Sequence, residues 1–126
     1  MTTLEEQMKA NAIEAMTLTR KYFVVELDFS EESVEELERL FDQVHYAWPG
    51  GHSEESLQRL TRLWGSYLGE VLRRRCGGQW IQTEHEGIAL HGEKTDFYPH
   101  SKVRKRLVGG ADDNVWQYYQ TARAMV

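Results

Sequence analysis

The sequence predicts an α+β domain, with a helix hairpin and additional helices packed on a small antiparallel β-hairpin or three-stranded meander. Three observations carry this. Leu57, Leu60, Trp64, Tyr67, Leu68 and Val71 fall in one stripe when spaced at about 100° per residue, the pattern of a helix facing a core. Upstream, Val34, Leu37, Phe41, Val44 and Trp48 recur at alternating spacings of three and four. Beyond Gly77-Gly78 the chain changes to Trp80-Ile81-Gln82-Thr83-Glu84 and Ile88-Ala89-Leu90-His91 around His85-Glu86-Gly87, which reads as a β-hairpin.

Taken in order, Thr3 with Glu6 forms a capping box, and Leu4, Met8, Ala12 and Ala15 place a first helix to about Arg20. Phe23, Val25, Leu27 and Phe29 then alternate with Val24, Glu26 and Asp28, as in a half-buried strand or at least an extended connection. Ser30 caps the second helix, whose first turn carries Glu31 and Glu32 at the positive end of the helix dipole. Pro49-Gly50-Gly51 reverses the chain, and Ser53 starts the returning helix. Gly65 and Gly69 lie on one face of that helix, where each costs about 1 kcal/mol relative to alanine; close approach of another backbone is the expected compensation. Gly77 or Gly78 ends it. A third short strand is expected near Thr95 to Tyr98. Pro99 then opens a basic helix, Ser101 to Val108, stopped by Gly109-Gly110. Asp112 or Asp113 caps a last helix carrying Val115, Trp116, Tyr119, Ala122 and Met125. Residues 1–126 are read as one domain, with the first helix (1–22) on its outside.

Composition narrows the class further. A hydrophobic fraction of 40% with 28% charged residues is that of a globular domain rather than a disordered chain. The lone Cys76 excludes an intrachain disulfide, no apolar run approaches a bilayer span, and the N-terminus lacks the pattern of a signal peptide; a cytoplasmic location is expected. The net charge of −5 hides an asymmetry: residues 1–58 carry −9, whereas residues 59–110 carry +5. Either acidic and basic elements complement one another within the domain, or the basic stretch meets an anionic partner.

No complete catalytic, phosphate-binding or metal motif is present. His52, His85, His91, His100 and Cys76 lack any paired-ligand spacing, so neither a metal nor a cofactor is expected. Acid/base chemistry could use Glu70 with His85 or His91. Glu70 borders the apolar stripe, where partial desolvation would raise its pKa, although Arg74 four residues on offers an ordinary helix ion pair. Cys76 neighbours three arginines, but a helix C-terminus disfavours a thiolate, so an inert thiol is expected. Two basic clusters, Arg73-Arg74-Arg75 and Lys102-Arg104-Lys105-Arg106, together with Trp80 and Tyr98 as exposed aromatics, could line a groove for an anion or a nucleic-acid backbone. Successive arginines point in different directions and the domain is acidic, which disfavours nucleic acid. Exposure of Tyr46, Trp48 and Tyr118 would mark a partner or homodimer surface.

The string Trp64-Gly65-Ser66-Tyr67-Leu68-Gly69-Glu70-Val71-Leu72, the following Gly77-Gly78-Gln79-Trp80 and the Pro99 to Gly110 stretch resemble a group of small bacterial domains of unknown function, with YLGEVL and GGxW the most specific pieces. The likeness spans roughly Leu27 to Tyr119. It implies a bacterial cytoplasmic origin and a compact helical domain with a small sheet, and it carries over no catalytic residue. The absence of convergent reactive groups, the abundance of aromatics and the separation of charge lead instead to the expectation of a noncatalytic protein-binding or regulatory module, of the immunity or adaptor kind; a small enzyme using Glu70 with His85 or His91, and an anion or nucleic-acid binder, are the alternatives.

Overall fold

A computed structural model describes residues 2–47 and 53–125, with the side chains of residues 46 and 47 outside the description. Five helices pack on a three-stranded antiparallel sheet: α1 (Leu4–Phe23), α2 (Glu31–Ala47), α3 (Glu54–Cys76), β1 (Gln79–Gln82), β2 (Ile88–His91), β3 (Asp96–Phe97), α4 (Pro99–Gly109) and α5 (Val115–Ala124). The fold is α+β, as the sequence predicts. The Pro49-Gly50-Gly51 turn, Trp48, His52 and the Tyr46 side chain lie outside the described residues.

The central element is α3. Every residue from Leu63 to Leu72 is buried, including Ser66 and Glu70, so the helix is enclosed around its circumference rather than along one stripe. It runs against α1 on one side and α4 on the other, while α2 packs chiefly against α5. The Ser53 hydroxyl accepts from Ser56 N (3.1 Å) at its start, and Gly77, at φ 83°, closes its end by donating to Arg73 O (2.8 Å).

The first helix is not peripheral. Met8, Ala12, Ala15 and Leu18 belong to the common core, and Thr19 Oγ1 accepts from Trp64 Nε1 (3.0 Å). Helix α1 runs on to Phe23 and ends in a left-handed Val24 (φ 57°). The segment that follows forms no strand. Its alternation is nevertheless real: Leu27 is buried and Phe23, Val25 and Phe29 are half-buried, whereas Val24, Glu26 and Asp28 are exposed. Without a partner strand these residues make an extended connection laid over the core. Phe29 N donates to Tyr67 Oη (2.9 Å), and Ser30 Oγ then accepts from Ser33 N (3.2 Å) to start α2.

Gly65 and Gly69 have different neighbours. A Cβ on Gly65 would lie 2.7 Å from His100 Cα, so here a second backbone does approach. On Gly69 it would overlap Trp80 Cη2 and lie 2.5 Å from Trp80 Cζ2, so the second notch receives an indole ring instead. The sheet has the order β1-β2-β3, with Trp80 opposite Leu90 and Leu90 opposite Phe97. The cap of α5 also differs from expectation. Ala111–Asp113 form a single 3-10 turn, which moves the cap on to Asn114, whose Oδ1 accepts from Gln117 N (2.9 Å).

Candidate functional site

The buried carboxylate of Glu70 is fully enclosed and holds β1 to α3. Its Oε2 accepts from Arg73 Nε (2.7 Å) and Trp80 Nε1 (2.8 Å), and its Oε1 accepts from Arg73 Nη2 (3.1 Å). Burial pushes the carboxyl pKa up, but the Arg73 and Trp80 donors outweigh it and hold Glu70 below its ordinary value. The expected upward shift is thus reversed. The expected partner Arg74 instead lies over the Phe29 ring, 3.6 Å from its centroid. His85 sits exposed in the β1–β2 turn, and His91 bonds through Nδ1 to Asp96 Oδ1 (2.6 Å); neither is among the hydrogen-bond partners of Glu70.

Two members of the predicted binding set are interior residues. Trp80 is buried because its ring fills the Gly69 notch. Arg106 is fully buried: its guanidinium meets Glu38 (Nε to Oε2, 2.9 Å) and Asp42 (Nη2 to Oδ1, 3.0 Å), and Glu38 also accepts from Val115 N (2.8 Å). This arginine therefore ties α4 to α2 and to the start of α5. The remaining basic residues are largely matched within the fold. Arg75 faces Glu31 (3.5 Å), Arg104 faces Glu54 (2.8 Å), and Arg73 reaches Glu5 (3.7 Å) besides Glu70. The charge asymmetry of the sequence thus has an internal counterpart, with acidic residues of the first half meeting basic residues of the second. Among the described residues no three His, Cys, Asp or Glu side chains are grouped to hold a metal ion, and no helix is long and apolar enough to cross a membrane. Cys76 is half-buried, and burial raises its thiol pKa.

Tyr98, Lys102 and Lys105 do come together. They line a cleft of about 610 Å³ bounded by β3, one face of α4 and one face of α5. Helical spacing explains the walls: Ser101, Lys102 and Lys105 lie on adjoining turns of α4, and Tyr118, Thr121 and Ala122 of α5, with Met125 at its C-cap, follow the i, i+3, i+4, i+7 pattern. Phe97, the Tyr118 ring, Ala122 and Met125 give apolar surface. Tyr118 Oη accepts from Tyr98 N (3.2 Å), and burial pushes the Tyr118 pKa up to about 12, so its hydroxyl stays neutral.

The charged groups of this cleft are unevenly matched. Lys102 pairs with Asp113 (3.4 Å) and lies 5.8 Å from the Tyr118 ring centroid, and Asp96 pairs with His91. The Glu86 carboxylate near the Tyr98 hydroxyl raises the tyrosine pKa. Lys105 is exposed and has no acidic partner among the described residues. Strand β3 is also the end of the sheet. Gly92 N donates to Thr95 O (2.9 Å), so by antiparallel alternation Asp96 turns its backbone N–H and C=O away from β2. Sequence reasoning found the α4 lysines and Tyr98 but missed the α5 wall, which only packing brings alongside.

No family model matches the chain, and no curated protein or solved structure matches it.

Proposed function

We propose that the protein is a noncatalytic binding module of the cytoplasm, of regulatory or adaptor type, and that the cleft between β3, α4 and α5 receives a short segment of a partner protein. The observation that carries this reading is Lys105, a cation left unmatched beside an apolar floor and the unpaired edge of a sheet. A segment with an acidic residue flanked by apolar ones would satisfy all three features. Its backbone would bond to the β3 edge, its apolar side chains would cover Phe97 and Met125, and its carboxylate would meet Lys105. The matched arginines lend less support to a nucleic-acid groove, and the closed bonding of Glu70 lends less to acid/base chemistry. Bacterial origin, as the YLGEVL and GGxW likeness implies, is part of the same proposal.

Selection of displayed random peptides against the chain tests it. An acidic-apolar consensus whose binding is lost in Lys105→Glu and in Met125→Glu is the expected outcome. Recovery of no consensus, or of one indifferent to both substitutions, would overturn the reading. Self-association that disappears in the same two variants would replace the partner with a second copy of this chain.

A further inference from the structure

A second cleft, of about 480 Å³, opens between α1, the first half of α3, the β1–β2 turn and a different face of α4. Its volume is in the range of small-ligand sites. Its composition is unusual for an acidic protein: Arg62, Arg104 and His100 line it with the amides of Gln7, Asn11, Gln58 and Gln82, and no carboxylate is among the described lining residues. Arg62 donates to Asn11 Oδ1 (3.2 Å) and has no acidic partner among the described residues. Among the described residues Arg104 is held by Glu54 alone, in an exposed pair weak enough for a ligand to displace.

Behind the lining, Thr61 Oγ1 and His100 Nδ1 are closed to solvent and have no hydrogen-bond partner among the described residues. Native structures rarely leave such groups unmatched. The hydrogen-bond pattern fixes what His100 Nδ1 needs. Ser66 Oγ must donate its one proton to Arg62 O (2.6 Å), because a carbonyl only accepts. In the 3.0 Å contact between Ser66 and His100 it is therefore Nε2–H that donates, and Nδ1 keeps a lone pair. Burial depresses the His100 pKa to about 4, which keeps the ring in this neutral form. His100 therefore adds no charge to the cleft, whose cationic donors are Arg62 and Arg104 at its rim.

We propose that this cleft binds a small oxyanion, a carboxylate or a phosphate, held by Arg62 and Arg104. A planar guanidinium suits either kind of anion. The site is distinct from the peptide cleft and does not depend on it.

Titration of the isotopically labelled full chain with malate, with succinate and with inorganic phosphate, at an ionic strength held constant with chloride, tests the proposal by NMR. Saturable shifts at Thr61, Arg62, Gln82 and His100, with Lys105 unmoved, are expected. Saturation by malate and succinate but not by phosphate would assign the anion to a carboxylate, and saturation by phosphate alone would assign it to a phosphate or its ester. The double variant Arg62→Gln with Arg104→Gln, both at the surface, should keep the remaining spectrum and weaken binding at least about tenfold. Absence of saturable shifts with any probe, shifts spread over all basic side chains, or unchanged affinity in the double variant would each overturn the proposal.

Discussion

The indole N–H of Trp80 donates to the carboxylate of Glu70 at 2.8 Å, and the ring that carries it rests where Gly69 has no side chain. Strand β1 is thereby fastened to the middle of α3 by a buried hydrogen bond and a steric fit at adjacent positions. Such a bond is worth more than a surface contact, because its loss leaves a charged acceptor without a partner in the interior.

Gly69→Ala should destabilise the protein even though alanine favours the helix. The added methyl overlaps the Trp80 ring and lies 3.0 Å from Pro99 Cγ. Overpacking outweighs the propensity gain of about 1 kcal/mol, for a net loss of about 1–3 kcal/mol in urea denaturation. A more stable variant with an unmoved Trp80 indole resonance would refute the fit described here.

Glu70→Gln keeps an acceptor for Trp80 but removes the charge facing Arg73, and should lower stability at neutral pH by about 2 kcal/mol. The folded carboxyl lies below its ordinary value of 4.5, so its contribution is present above that pH and is lost as pH falls through the folded pKa. Denaturation midpoints measured below pH 4.5 should therefore fall less steeply in Glu70→Gln than in the unaltered chain.

His100 acts in a higher window. Its ring titrates at about 4 when folded against an ordinary 6.5, so between those values the unfolded chain binds more protons and stability falls as the solution is acidified. The loss across the window should reach about 3 kcal/mol. The same slope should be absent in His100→Gln; an equal slope there would assign the effect to another group.

Neighbouring basic residues on α4 should respond very differently. Arg106→Ala leaves Glu38 without its buried partner and should cost about 3–5 kcal/mol, whereas Lys105→Ala, at an exposed position, should stay within about 0.5 kcal/mol. Equal effects in thermal or urea unfolding would contradict the burial assigned to Arg106.

Val24 holds a left-handed backbone at φ 57° while the residue is 88% exposed, so little packing offsets the strain of a β-branched residue there. Val24→Gly should raise stability by about 0.5–1 kcal/mol, after allowing for the greater freedom of glycine in the unfolded chain. Calorimetry showing a lower melting temperature would oppose this account.

Much of the fold was legible because its signals are local. Thr3, Ser30 and Ser53 accept the backbone N–H three residues on, as capping side chains do, and the apolar periods of α2 and α3 mark the faces that are buried. The segment from Phe23 to Phe29 shows the limit of that reasoning. Its alternating burial matches a strand, yet a strand also needs a ladder, and no neighbouring segment supplies one. Of the candidate site, Tyr98, Lys102 and Lys105 were visible in the sequence. The cleft they share with Tyr118 and Met125, and the acid-free cleft around Arg62 and His100, were not.

The sequence by itself determined which segments are helical, how α1, α2 and α3 are capped at their starts, that an α+β architecture results, and that α3 is central, since these follow from backbone capping and from periods within one segment. Tertiary structure alone decided which of the basic residues became interior. Arg106 and Lys105 are chemically alike and adjacent in the chain, but a helix turns about 100° between them, and only one of them faces Glu38, 68 residues away. Burial of a charge depends on a partner brought in from a distant segment, and no local pattern records that partner.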